Sequence, residues 1–133
     1  MNQTTSIIIL VAVVLISSLY IRNFGKVSKF KIDPAEAKKR LEKEKGIILL
    51  DVRTQEEYLE SHIPKSTLIP LRNLASEAGR KLPDKEAIIF TYCRSGNRSR
   101  AAVKILLKKG YTNVFDLGGI IRWPYKTVSG KKK

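Results

Sequence analysis

The stretch from Glu86 to Gly110, EAIIFTYCRSGNRSRAAVKILLKKG, decides the fold. Its first eight residues, Glu86 to Cys93, form an apolar run ending in the chain's single cysteine, the pattern of a strand buried on both faces. From Ser99 to Gly110 the apolar residues return at helical spacing, with Ala102, Ile105 and Leu106 on one side and Gly110 as the stop. The intervening RSGNR is too polar and too rich in turn formers for either element. A buried strand, a short loop and a helix in succession are the repeating unit of a parallel sheet.

The same grammar extends outward. Asp33 to Gly46 reads as a helix with Asp33 as N-cap, Pro34 at N1, Glu36 in a capping box and Gly46 at the end. Ile47 to Val52 is a second buried strand, and TQEEYLESH is a short helix capped by Thr54. STLIPL is a brief strand ended by Pro70, and Leu71 to Leu82 is helical. TNVFDL is a further strand, followed by Gly118–Gly119 and a last helical turn around Trp123. The expected class is α/β, with a mostly parallel sheet covered on both faces.

The N-terminus has a different composition. Residues 1–21 carry no charge, and Ser6 to Ile21 are apolar apart from three serines and a tyrosine. As a helix, 21 residues span about 31 Å, close to the ~30 Å hydrocarbon core. A cleaved secretory signal would have a basic residue before the apolar run and a small-x-small site after it, and neither is present. Residues 1–21 are therefore read as an uncleaved transmembrane anchor. Arg22, Lys26, Lys29 and Lys31 follow with no acid among them, which places the C-terminal side in the cytoplasm. The expected division is an anchor at 1–21, a basic connector at 22–29, a domain at 30–127 and a basic tail at 128–133.

The 133 residues carry 26 basic and 12 acidic side chains, a formal charge of +14. This surplus favours anionic partners such as a lipid surface or a small oxyanion. Nucleic-acid binding would rest on charge alone, because there is no RGG tract or aromatic-interleaved basic strand. One cysteine rules out an internal disulfide and a C-x-x-C pair. With one histidine, His62, the chain also points away from a structural metal site.

Ligands of such sheets bind beyond the carboxyl ends of the strands, where Cys93 lies. Gly96 frees the loop to curl its N–H groups into an anion-binding nest. The following helix start adds partial positive charge, and Arg94, Arg98 and Arg100 add full ones. Together these features favour a thiolate and make Cys93 a candidate nucleophile that also holds an oxyanion. The plain alternative is an inert cysteine closing a strand, but the Arg, Gly and Asn that follow are not core formers.

The region Leu49–Trp123 resembles the rhodanese superfamily. LLDVRTQEEYLESHIPKSTLIPL is similar to that family's D-V-R…E-Y…G-H-I-P-G-A…I-P-L signature. YCRSGNRSRAAVKILLKKGYTNVFDLGGIIRW resembles its catalytic loop, following helix and closing G-G-x-x-x-W segment. Ser61 departs from the usual glycine before the histidine, and Lys65–Ser66 replace Gly-Ala. The C-x4-R spacing from Cys93 to Arg98 is one residue shorter than the C-x5-R of cysteine phosphatases, which disfavours a phosphatase or an arsenate reductase.

The resemblance implies a central five-stranded sheet, with Phe30–Ile32 as its first strand. It implies a sulfurtransferase without a cofactor, in which Cys93 takes sulfane sulfur from thiosulfate or another donor and passes it to a thiol or cyanide. The amides from Arg94 through Ser95, Gly96, Asn97 and Arg98 to Ser99 would hold the persulfide. Arg98 would order the loop, and Arg94 would steer an anionic donor. Asp51 and Arg53 would form a supporting ion pair, His62 would belong to a structural turn, and Trp123 would pack as a lid over the C-terminal core. The rival function is a tethered rhodanese-like module that carries or senses sulfur, or docks a partner, without turnover.

Overall fold

The computed structural model describes residues 2–28 and 30–131, with only the backbone described for 21–28. Met1, Lys29, Lys132 and Lys133 lie outside it, so the expected connector and basic tail are described only in part. The chain divides into two compact units, Met1–Phe30 and Lys31–Lys133.

The first unit is helix α1, Gln3–Ser28, which continues through positions expected to be connector. An 18-residue window, Gln3–Tyr20, has a mean hydropathy of 2.0 and no burial, so by length and composition it could cross a membrane. Its large apolar side chains from Ile7 to Tyr20 are 50–68% exposed. Two of its hydroxyls turn back onto the backbone: Thr5 donates to the Asn2 carbonyl and Ser17 to that of Val14.

The second unit runs α2 (Pro34–Lys43), β1 (Ile48–Asp51), α3 (Gln55–Glu60), β2 (Thr67–Leu68), α4 (Leu71–Lys81), β3 (Ile88–Cys93), α5 (Asn97–Lys108) and β4 (Asn113–Gly119). A 3-10 turn at Ile120–Arg122 follows. All four strands are parallel, in the order β2-β1-β3-β4. Among the described residues the sheet thus has four strands, not five. Lys31 makes only an isolated parallel bridge to Asp116, with the Ile32 N–H donating to the Asp116 carbonyl at 3.0 Å. A longer ladder is blocked because Asp33 is already the N-cap of α2, where its carboxylate accepts the Ala35 N–H, and Pro34 has no N–H to pair.

Alternation along β3 sorts the core. Phe90 and Tyr92 pack with Ala37, Leu49, Ile63, Leu117 and Trp123 on one face. Ile89, Thr91 and Cys93 point to the other face, onto which α5 packs. Trp123 is buried and lies edge-on to Tyr125, 5.0 Å between centroids.

Several boundaries differ from the sequence reading. Helix α2 ends at Lys43, and Gly46 serves the next turn at φ +84°. The capping box forms at α3, where Thr54 and Glu57 cap each other reciprocally. Strand β2 is only two residues long, and Pro70 follows closely as the N-cap of α4. Helix α5 begins at Asn97, two residues earlier than expected, and β4 extends through both glycines.

Candidate active-site loop

Strand β3 delivers Cys93 to the carboxyl edge of the sheet, with 1% of the residue exposed. The chain then turns within three residues. Gly96 adopts φ +110°, a left-handed conformation that a side chain would strain, and from there its N–H donates to the Cys93 sulfur at 3.0 Å. The first helical bond of α5 runs from the Arg100 N–H to the Gly96 carbonyl. Asn97, Arg98 and Ser99 therefore form the first turn of α5, where a helix has no internal acceptor for its N–H groups. Those donors and the helix dipole converge on the end of the helix beside the sulfur.

The loop rests on the end of β4. Cys93 is in register with Gly119 and Tyr92 with Gly118, after a bulge that leaves Leu117 unpaired. A Cβ on Gly119 would overlap the Arg94 carbonyl oxygen and lie 2.7 Å from the Ser95 Cα. Gly118, at φ +90°, donates its N–H to Asp116 Oδ1 at 2.9 Å. The same oxygen lies 2.6 Å from the Ser99 hydroxyl. Beneath, the Thr91 hydroxyl lies 3.2 Å from the Ser99 carbonyl. Buried Asp116 thus joins the start of α5 to the glycine pair under the loop.

A second tie comes from α3. Arg98 donates to both Glu57 oxygens, each at 2.8 Å. Glu57 also accepts from the Thr54 N–H and hydroxyl. The Arg98 hydrogen bond, opposed by partial burial and aided by Thr54, holds the Glu57 carboxyl down at about 2. Glu57 in turn raises the pKa of Arg98.

Asp51 and Arg53 pair bidentately in the interior, with Arg53 Nη2 2.7 Å from Asp51 Oδ2. Arg53 also donates to the Ser61 carbonyl at 2.6 Å and lies over the Tyr92 ring. The Tyr92 hydroxyl accepts the Ile63 N–H and donates to Ser66 Oγ. Burial, followed by the charge of Asp51, pushes that phenol far above its ordinary range. His62 stacks on Tyr58 at 3.7 Å, with Nδ1 2.7 Å from the Tyr58 carbonyl, so its ring belongs to the turn after α3.

The two departures from the family signature have separate explanations. Ser61 sits at φ −166°, extended backbone that needs no glycine. Lys65 takes φ +65°, the left-handed region, and Ser66 supplies the hydroxyl that receives Tyr92.

The loop residues thus divide by what their side chains do. Arg94, Ser95 and Asn97 are exposed, whereas Arg98 is held by Glu57 and Ser99 lies beside Asp116. Sequence reasoning missed Glu57, Thr91 and Asp116, each of which sits in an ordinary helix or strand pattern. Gly118–Gly119 carried a visible signal but no stated reason.

Residues 33–124 match the Rhodanese-like domain family. The chain belongs to the rhodanese-like family. It is 40% identical over 85 residues to the adenylyltransferase and sulfurtransferase uba4 of Ogataea parapolymorpha, covering 63% of this chain but only 22% of that protein. The chain therefore spans about a fifth of that relative. It is 30% identical over 109 residues to the thiosulfate sulfurtransferase GlpE of Pseudomonas savastanoi, covering 78% of this chain and 100% of GlpE. Among solved structures, a rhodanese with anions from E. coli is 32% identical with a TM-score of 0.60, covering 63% of this chain and 99% of the other. The relatives it matches thus include a thiosulfate sulfurtransferase and a protein described as a putative sulfur carrier.

Proposed function

We propose that this chain is a membrane-anchored sulfurtransferase that works through a Cys93 persulfide. The observation that carries the reading is the Gly96 N–H directed at the Cys93 sulfur, within a six-residue loop that ends at the start of α5. The arrangement suits a sulfur anion, because each donor around it is a fixed backbone group that needs no reorganisation.

In the first step the Cys93 thiolate attacks the sulfane sulfur of thiosulfate. The Cys93–S bond forms, the donor's S–S bond breaks, and its electron pair leaves with sulfite. The persulfide then occupies the cradle formed by the amides from Arg94 to Ser99. A thiol or cyanide attacks the outer sulfur, and the electron pair returns to Cys93, completing a ping-pong cycle. Exposed Arg94 attracts the anionic donor, and Arg98, held by Glu57, keeps the loop closed. Thiosulfate as donor is supported by the full-length match to a thiosulfate sulfurtransferase.

The exposed apolar surface of α1 and the basic flank support anchoring through α1 with the domain at 30–127 on the cytoplasmic side. A reducing cytoplasm would keep the lone thiol available.

The test is intact mass spectrometry of the full chain in non-ionic detergent after incubation with thiosulfate, beside Cys93→Ser. A dithiothreitol-reversible gain of one sulfur, about 32 Da, in the wild type alone is the expected result for a covalent intermediate. Its loss on adding cyanide or a thiol would establish turnover. An adduct that neither removes would favour a carrier module, and no adduct with thiosulfate or polysulfide would sink the sulfurtransferase reading.

A further inference from the structure

Asp116 is 6% exposed, yet among the described residues it forms no ion pair, whereas Asp51 and Glu57 near the same loop each bind an arginine. A carboxylate taken out of water without a counter-ion is costly unless hydrogen bonds hold it. The two bonds that Asp116 accepts lead to a single residue of the loop. Its Oδ1 accepts the Ser99 hydroxyl at 2.6 Å and the Gly118 N–H at 2.9 Å. The Ser99 hydroxyl also lies 3.0 Å from the Gly96 carbonyl, so its hydrogen is shared between carboxylate and loop. Gly118 meets Gly96 at the Cα, where an added Cβ would lie 3.7 Å from the Gly118 Cα. Gly96 is thus held at its carbonyl and at its Cα by two groups that share one oxygen of Asp116. Its remaining polar group, the N–H, is the donor to the Cys93 sulfur.

The backbone of Asp116 is fixed independently of the loop. It is in register with Thr91 of β3, and its carbonyl accepts the Ile32 N–H at 3.0 Å. The carboxylate therefore hangs from a paired strand, the rigid support that a reactive group needs.

We propose that Asp116 is the positioning residue of Cys93: through Ser99 and Gly118 it fixes Gly96 so that the Gly96 N–H points at the sulfur. The proposal rests on the reading of Cys93 as the nucleophile, and it gives a part in the chemistry to a side chain that touches no reacting atom. It also has an electrostatic signature. Removing a negative charge near a thiolate favours the thiolate, whereas losing a hydrogen bond to the thiolate favours the thiol. The two effects have opposite signs, so the direction of change shows whether Asp116 acts by its contacts or by its charge. The surrounding charges stay in place: Lys31, Asp33, Arg100 and Arg122 line the cleft that Asp116 borders, and Arg98 interacts with the charge of Cys93.

The test uses the full chain in non-ionic detergent and follows alkylation of Cys93, the single cysteine, by iodoacetamide across pH. In Asp116→Ala the midpoint of the rate–pH profile should rise by about one pH unit, a tenfold loss of thiolate below the midpoint. Asp116→Asn keeps an oxygen that can accept both bonds, so its midpoint should stay at or below that of the wild type. Ser99→Ala cuts one of the two ties and should raise the midpoint less, and combining it with Asp116→Ala should add little. Sulfur uptake from thiosulfate should slow in the same order. A midpoint that falls or stays in Asp116→Ala, or rises equally in Asp116→Asn, overturns the assignment. Where Asp116→Ala does not fold, Ser99→Ala decides, and an unmoved midpoint there overturns it. Alkylation needs no sulfur donor. If the wild type takes up no sulfur while the midpoints still shift as stated, the sulfurtransferase reading fails and the positioning of Cys93 stands.

Discussion

Gly119 is where the sheet and the loop come closest. Any side chain there meets the backbone of Arg94 and Ser95, which cannot swing aside as the end of a lysine could. The loop would have to lift, and the Gly96 N–H would leave the Cys93 sulfur. Gly119→Ala should therefore destabilise the domain by about 1–3 kcal/mol, the range for overpacking. It should also reduce persulfide yield more than that loss of folded protein explains. Urea unfolding and intact mass on the same preparation separate the two effects, and an unchanged yield from folded variant would remove Gly119 from the loop's support. Here sequence reading was only half sufficient. A paired glycine was visible in the sequence, but the reason for it required knowing that a bulge at Leu117 brings Gly119 opposite Cys93.

At the scale of elements, the loop is held by helices that are distant in sequence. Arg98 opens α5, Glu57 caps α3, and the two meet across 41 positions. Legibility followed range. The buried strands, the Thr54 cap and the Cys93 loop are local patterns and could be read from composition and spacing. The Glu57–Arg98 and Ser99–Asp116 contacts depend on tertiary packing, and no short window contains both partners. The missing fifth strand is a similar case: Phe30–Ile32 has strand composition, but the cap of α2 leaves it one bridge.

The α3–α5 tie carries a pH signature. The folded Glu57 carboxyl sits at about 2, below the ~4.3 of an unfolded glutamate. Its contribution is fully present above the unfolded value and is lost as pH falls towards 2, because the unfolded chain takes up a proton that the folded state resists. Glu57→Gln leaves a residue that can still serve the capping box and removes the charge facing Arg98. The variant should be less stable by about 1–2 kcal/mol at neutral pH, after discounting for partial exposure. The gap in urea midpoints should close between about pH 5 and 2. A gap that stays constant across that range would mean the ion pair adds nothing.

For the whole molecule, the question is whether the two units need each other. The strands, both ties on the loop and the buried cluster around Phe90 and Trp123 all lie within Lys31–Lys133. The apolar side chains of α1 from Ile7 to Tyr20 are exposed, a surface that suits hydrocarbon rather than water. Removing residues 1–30 should yield a soluble protein whose unfolding free energy matches that of the remaining domain within about 0.5 kcal/mol, as for distant, independent sites. Its persulfide yield with thiosulfate should equal that of the full chain. The full chain should stay with the membrane fraction through high salt and leave it only with detergent, since salt screens charge contacts but not burial in hydrocarbon. Release by salt alone would assign membrane association to the basic residues. A truncated chain that aggregates or fails to unfold cooperatively would show that α1 belongs to the domain's own core.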